Sequence, residues 1–394
     1  MNTSTMNNTD LPLDFTEERK GKIEKFKDTP LIDRKHGLGI KTKLDFLHLE
    51  AANIDNDITI KIENQSYIDE GKVKKFEGSE IENLDLEGMN KIKTNIFKTF
   101  RNSFGDWKEK IEYLHEALRK VTLIYIPENQ HLDETININV EHKGNTLSHL
   151  FLYVGKGTKA SLNITSKAQG EGFSTDFTNA YYDTGSDSNV TLLKDIKGKE
   201  KYMHSKNLQI VGDDAKLNLT TADFGGKLII NDTVARLEGR ASTAYTNNIY
   251  FVKEGEDLDL SSTSDHIGRD SYSLLTSKGV CDDSKALIRG LVKINTPAFD
   301  ANGYQQSDSL LLTENSQVVS IPDLVIHNDQ VKCSHGSTVS NLEEDKVFYL
   351  MSRGISKREA EKKLIEGFYY PILEKISEKQ REPLTKIIES RLQD

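Results

Sequence analysis

The chain has 394 residues, 36% hydrophobic and 29% charged, which is enough apolar material for one large domain or for a core with flanking pieces. Its net charge of -10 argues against binding a nucleic-acid backbone, because neutralising phosphates takes a clustered basic face and the run Lys72-Val73-Lys74-Lys75 is too short to make one. The start of the chain has neither a basic segment nor a continuous apolar run, and no window approaches the roughly 18 apolar residues of a membrane span, so a soluble, cytoplasmic protein is expected.

Residues 1–118 read as a helical and irregular N-terminal region. An amphipathic helix is predicted to open at Phe15, and another over Phe104 to Leu118, where apolar residues recur at helical spacing; the mixed stretch 50–90 supports no assignment. From residue 119 the texture changes to short alternating runs such as Val121-Thr-Leu-Ile-Tyr-Ile126, bounded by Gly, Asp or Asn.

These runs repeat. Turn residues Asn129, Gly144, Gly157, Gly170, Gly185, Gly198, Gly212, Gly226, Gly239, Gly255, Gly268 and Asp282 recur about every 14 residues, and GTKASLNIT at 157, GSDSNVTLL at 185 and GDDAKLNLT at 212 are similar phrases one double step apart. Two strand-plus-turn halves per coil predict a flattened parallel β-helix over 119–341. An antiparallel sandwich competes, but its spacings are shorter and its hairpin dipeptide Asn-Gly occurs here once, at Asn302-Gly303.

Residues 342–394 read as a C-terminal helical domain. Gly354 fits a helix C-terminus that needs positive φ, and Ser356 with Glu359 fits a capping box. Pro371 is expected to kink or end the second helix, and Pro383 to sit in the first turn of a last one. The rings of Phe348, Tyr349, Phe368 and Tyr369 must be buried on the β-helix end or against a partner protein.

Searches for standard catalytic signatures fail. The chain lacks a Gly-x-x-x-x-Gly-Lys-Ser/Thr phosphate loop, a Cys-x-x-Cys, a His-Glu-x-x-His and a Gly-x-Ser-x-Gly. Carboxylates such as Asp213-Asp214 and Glu254-Gly-Glu256-Asp257 leave open a carbohydrate-active β-helix enzyme, although turn carboxylates commonly bond nearby backbone amides. The two cysteines, Cys281 and Cys333, suit reduced thiols rather than a disulfide framework. Cys333 and His335 stand two apart, so in a strand they project from one face. That is half a metal site, to be completed from His327, Cys281, His266 or another chain, or else a buried thiol beside a hydrogen-bonded imidazole.

Across 264–373 the phrases SDHIGRDSYSLLTSKGV, IRGLVKI, GYQQSDSLLL, SIPDLVIHNDQVKCSHGSTV and FYLMSRGISKREAEKKLIEGF resemble the SufB/SufD family of iron-sulfur cluster assembly. The resemblance implies a mainly β fold, a right-handed parallel β-helix flanked by helical parts. It also implies a non-enzymatic scaffold subunit that pairs with a SufB-like chain through the β-helix and docks the SufC ATPase through its C-terminal helices. SufB chains resemble one another in a cysteine six residues before the proline that precedes the last strands, and in a glutamate after the final histidine; Ser316, before Pro322, and Gly336 stand there in this chain. Lys332-Cys-Ser-His-Gly-Ser-Thr338 is similar to the SufD motif.

On that resemblance His335 is implicated in cluster assembly as a transient iron or cluster ligand, with Cys333 beside it. Phe348, Tyr349, Arg353 and Gly354 are the expected SufC-docking residues. No tightly bound cofactor is expected in the isolated chain: an iron-sulfur cluster would form transiently at the interface with SufB, sulfur would come through SufB, and ATP through SufC. The alternative within the family is a SufB-like or homodimeric scaffold that holds the nascent cluster itself.

Overall fold

The computed structural model describes residues 34–35, 41–42, 58–77 and 120–393. The helices expected from Phe15 and over 104–118 lie outside the described residues. Strands β1 (Arg34–Lys35) and β2 (Lys41–Thr42) form a small antiparallel pair.

From Lys120 the chain winds as a parallel β-solenoid of about eight turns. One sheet holds β6 (Ile136–Lys143), the first halves of β8 (Lys159–Tyr182) and β9 (Asp187–Val211), β10 (Lys216–Gly225), β12 (Thr243–Val252), β14 (Tyr272–Cys281), β16 (Asn302–Leu311) and β18 (Lys332–Asn341). The facing sheet holds β5 (Lys120–Ile126), β7 (Thr146–Val154), the second halves of β8 and β9, β11 (Leu228–Leu237), β13 (Asp257–His266), β15 (Lys285–Ile294) and β17 (Gln317–Ile326). All these pairings are parallel, which excludes the sandwich.

The periodic turn residues serve two physical ends. Gly157 takes φ of 65°, a conformation that costs glycine nothing. Gly239 and Gly268 instead allow close stacking of coils: a Cβ on Gly268 would lie 1.9 Å from the Gly239 carbonyl oxygen. In those two turns the left-handed residues are Ala241 and Asp270.

The lumen is apolar at its N-terminal end, where Ile138, Leu152, Leu162 and Leu192 pack together. Further along it turns polar. Asp176 accepts hydrogen bonds from Ser148 and Ser166 and lies 3.6 Å from the fully buried Lys194 ammonium. That ammonium and the two seryl donors favour the ionised carboxylate against a large desolvation cost, leaving Asp176 below its ordinary value. Asp223 is pushed up to about 6 by burial, with Asn231 donating to it at 2.7 Å.

The two ends of the solenoid differ. At the N-terminal end β3 (Ile58–Ile62) pairs antiparallel with β6, and β4 (Lys74–Glu77) with β5. Helix α1 (Gln65–Asp69) joins them, and its Tyr67 enters the core while its hydroxyl accepts the Glu134 N–H at 2.8 Å. Both first-rung edges are therefore paired. At the C-terminal end β17 and β18 terminate the strand order, each with one neighbour among the described residues.

Helices α2 (Glu344–Ser352), α3 (Lys357–Leu373) and α4 (Glu378–Arg391) follow. Ile365, Tyr369, Ile372, Leu384 and Ile388 cover the outer face of the first sheet, against Phe224, Ile249, Phe251 and Val280. Ser356 caps α3 by accepting the Glu359 N–H, and Gly354 takes φ of 87°. The helix ends at Leu373, two residues after Pro371. The expectation for Pro383 fails: α4 starts at Glu378, so the proline lies in its second turn. The earlier start is held by Gln380, whose amide donates to the carbonyls of Leu162 and Asn189.

Candidate functional site

Strand direction sets which residues of the last rung face the lumen. Gly303, Gln305 and Ser307 of β16 point inward, since a Cβ on Gly303 would meet Val292 across the lumen. Their ladder partners are Cys333, His335 and Ser337. The sequence-predicted pair therefore does share one face, at the open mouth of the solenoid.

The two residues differ sharply in environment. Cys333 packs with Val292, Ile294, Leu324 and Val331, and burial pushes its thiol above the usual range, which keeps it protonated and weakens it as a ligand or nucleophile. His335 is exposed, and among the described residues no strand lies beyond β18. Ser337 donates to Ser320 at 2.8 Å, closing the mouth beside it. Gln305, one rung below His335, spans the lumen and donates to the Asp323 carbonyl.

The other candidate ligands stay apart. Cys281 is fully buried and its thiol is pushed up to about 12 by burial, so it is inert. His266 is held neutral by burial at about 4, both ring nitrogens bonded to Ser271 and Ser273 hydroxyls. His327 lies in the exposed turn after β17. Among the described residues no group of three or more His, Cys, Asp or Glu could hold a metal ion. Cys333 and His335 remain a partial ligand set.

Ser316 and Gly336 do not converge with them on one point. Ser316 is buried in the turn between β16 and β17, where it donates to the Cys281 carbonyl at 3.0 Å and accepts the Asp283 N–H. Gly336 faces outward under Gln306, whose Oε1 would lie 2.2 Å from a Cβ there. A side chain at 336 would therefore displace an amide that donates to Asp308 at 2.6 Å.

Residues 135–368 match the family model described as the SUF system FeS cluster assembly, SufBD core domain. The chain belongs to the SufBD family. It is 30% identical over 176 residues to an iron-sulfur cluster assembly SufBD family protein of Porphyra purpurea, covering 44% of this chain and 36% of that protein. It is 29% identical over 160 residues to the iron-sulfur cluster assembly protein SufD of Escherichia coli, covering 40% and 38% respectively. A SufBD family protein of Mycobacterium leprae is 26% identical over 290 residues, 70% of this chain and 73% of that one. The chain thus spans little more than a third of the length of the first two relatives.

A SufBD-family reading directs attention to the helices after the solenoid. Of the four rings that needed burial, Tyr369 is fully buried and donates to the Tyr250 carbonyl, and Phe368 lies under the Lys278 ammonium at 4.5 Å. Phe348, Tyr349 and Tyr370 are 71%, 57% and 60% exposed, and Met351 joins them. Arg353 stacks over Tyr349 at 5.4 Å. Helix α2 buries only Val347, so its Phe348, Tyr349 and Met351 stand away from the solenoid, while Tyr370 is exposed on α3. Sequence reasoning named Phe348, Tyr349 and Arg353 here but missed Met351 and Tyr370. Met351 stands three residues after Phe348 on α2, and that helical spacing was a usable signal; Tyr370 lies on α3, where no spacing from the α2 residues points to it.

Proposed function

We propose that this SufBD-family chain is a non-catalytic, SufD-like scaffold subunit of cytoplasmic iron-sulfur cluster assembly. It pairs with a SufB-like chain through the open end of the solenoid, presents His335 to the nascent cluster, and docks a SufC-type ATPase through α2. The nascent cluster is cargo, and its remaining ligands come from the partner. The observation that carries this reading is the asymmetry of the ends: paired edges at the N-terminal one, and two free edges with an exposed imidazole at the C-terminal one. Gly336 and Ser316 in place of a glutamate and a cysteine support the SufD-like branch.

A homodimeric scaffold is the second reading, favoured by the fact that a single chain carries both free edges and could offer them to a second copy. Size measurement on the pure chain and on its mixture with a SufB-like partner separates the two. In the leading reading, Phe348→Ala weakens co-purification of the ATPase by about tenfold or more, as loss of an exposed aromatic anchor does, while the fold is unchanged. Undiminished co-purification would move the docking site off α2.

A further inference from the structure

We infer that the groove between the C-terminal helices and the outer face of the solenoid binds a small organic or inorganic anion, with phosphate or carboxylate oxygens as the recognised chemistry. The groove encloses about 220 Å3 between β9, β10 and β12 and the link from α3 to α4. That is below the roughly 300 Å3 at which pockets for drug-sized ligands begin, so the occupant is small.

Its lining is chemically selective. The protein carries 62 acidic side chains against 52 basic ones, yet no carboxylate lines this groove, while Lys216 and Lys375 stand on its two walls. Among the described residues neither lysine forms an ion pair, although Asp187 is the ladder neighbour of Lys216. Lys216 instead lies over the Tyr245 ring at 5.8 Å. Two exposed cations lining one groove, with no carboxylate among its lining residues, make the local potential positive.

Buried neutral donors complete the site. Among the described residues the Thr191 hydroxyl, 3% exposed and shut off from solvent, has no hydrogen-bond partner, and the side chain of Asn247, 5% exposed, forms no hydrogen bond either. Buried polar side chains are normally satisfied, so unpartnered ones lining a groove point to a ligand. Asn218 donates to the Asn189 side-chain oxygen at 2.9 Å, and among the described residues the Asn189 amide hydrogens have no acceptor. Amide and hydroxyl donors between two ammonium groups suit oxygen acceptors carrying negative charge. Because Lys216 belongs to the solenoid and Lys375 to the helical link, a bound anion would clamp the helices to the sheet. The site lies apart from His335 and does not depend on the branch of the family.

The test uses the full chain, with citrate and inorganic phosphate as separate probes at ionic strength matched with chloride. Thermal unfolding should shift upward saturably, by about 3 °C or more at saturation, with at least one probe. Titration calorimetry should show affinity at least tenfold weaker in Lys216→Glu and in Asn247→Asp. Lys216 is exposed, so its variant should fold; unliganded melting verifies this. A response to phosphate alone or citrate alone assigns the anion class. No saturable shift with either probe, or a shift that Lys216→Glu retains, overturns the proposal.

Discussion

Replacing His335 by alanine should leave the solenoid and its complexes intact and stop cluster build-up. The imidazole is exposed on the last rung, so its removal opens no cavity and unpairs no buried group. Surface changes of that kind usually alter stability by less than about 0.5 kcal/mol. The functional loss should be far larger. Cys333, the one other metal-ligating side chain on that inner face of β18, packs in an apolar cluster with its thiol raised by burial. Among the described residues no group of three or more potential ligands stands ready to take over. The comparison is iron and acid-labile sulfide per complex after anaerobic incubation, wild type against His335→Ala, with co-purification as the control. A tenfold or greater deficit with normal assembly is expected. Wild-type loading would remove His335 from the site, and loss of assembly would make it a contact residue instead.

The second large effect concerns the anchor of the helical domain. Tyr369→Ala should destabilise the chain by about 3–5 kcal/mol, the range for deleting a buried aromatic ring. Tyr369 is fully buried against Phe251, Val280, Ile372 and Leu384, and its hydroxyl donates to the Tyr250 carbonyl at 2.6 Å. Tyr369→Phe keeps the ring and should cost only about 1 kcal/mol, the net value of one hydrogen bond. Urea unfolding followed by circular dichroism measures both. Equal effects of the two variants would mean that the bond rather than the packing holds the helix. The distinction matters because α2 projects from α3, so a docked ATPase would act on the solenoid through this contact.

Much of the solenoid was legible because the turns are periodic. A glycine ladder can arise from positive φ or from close stacking of coils, and this chain uses both, so the spacing was visible before either cause was known. The polar lumen was harder to read. Lys194, Asp223 and Asn248 point inward, whereas Ile249 and Phe251 point outward beneath the helices, reversing the usual polarity of an alternating strand. The cap over 58–77 went unread for a different reason: Ile58-Thr-Ile-Lys-Ile62 does alternate as a strand, but both strands are short, β4 opens on two lysines, and they gain their place from pairing with β5 and β6. Pro383 misled because a proline is tolerated where packing and the Gln380 contacts hold the helix start.

At the site, i and i+2 spacing correctly put Cys333 and His335 on one face, yet spacing alone could not rank them. The ranking comes from the end of the solenoid, where Leu324 and Val331 pack against the thiol and no described residue covers the imidazole. Missing ligands on a second chain leave no trace in this one.

Amide hydrogen exchange on β17 and β18, with and without a SufB-like partner, tests the central claim most directly. In the isolated chain the outward-facing amides of Gln317–Ile326 and Lys332–Asn341 have no strand to bond among the described residues and should exchange quickly. In the complex those same amides should slow by about tenfold or more. Unchanged exchange there, with protection appearing on another face, would contradict the account.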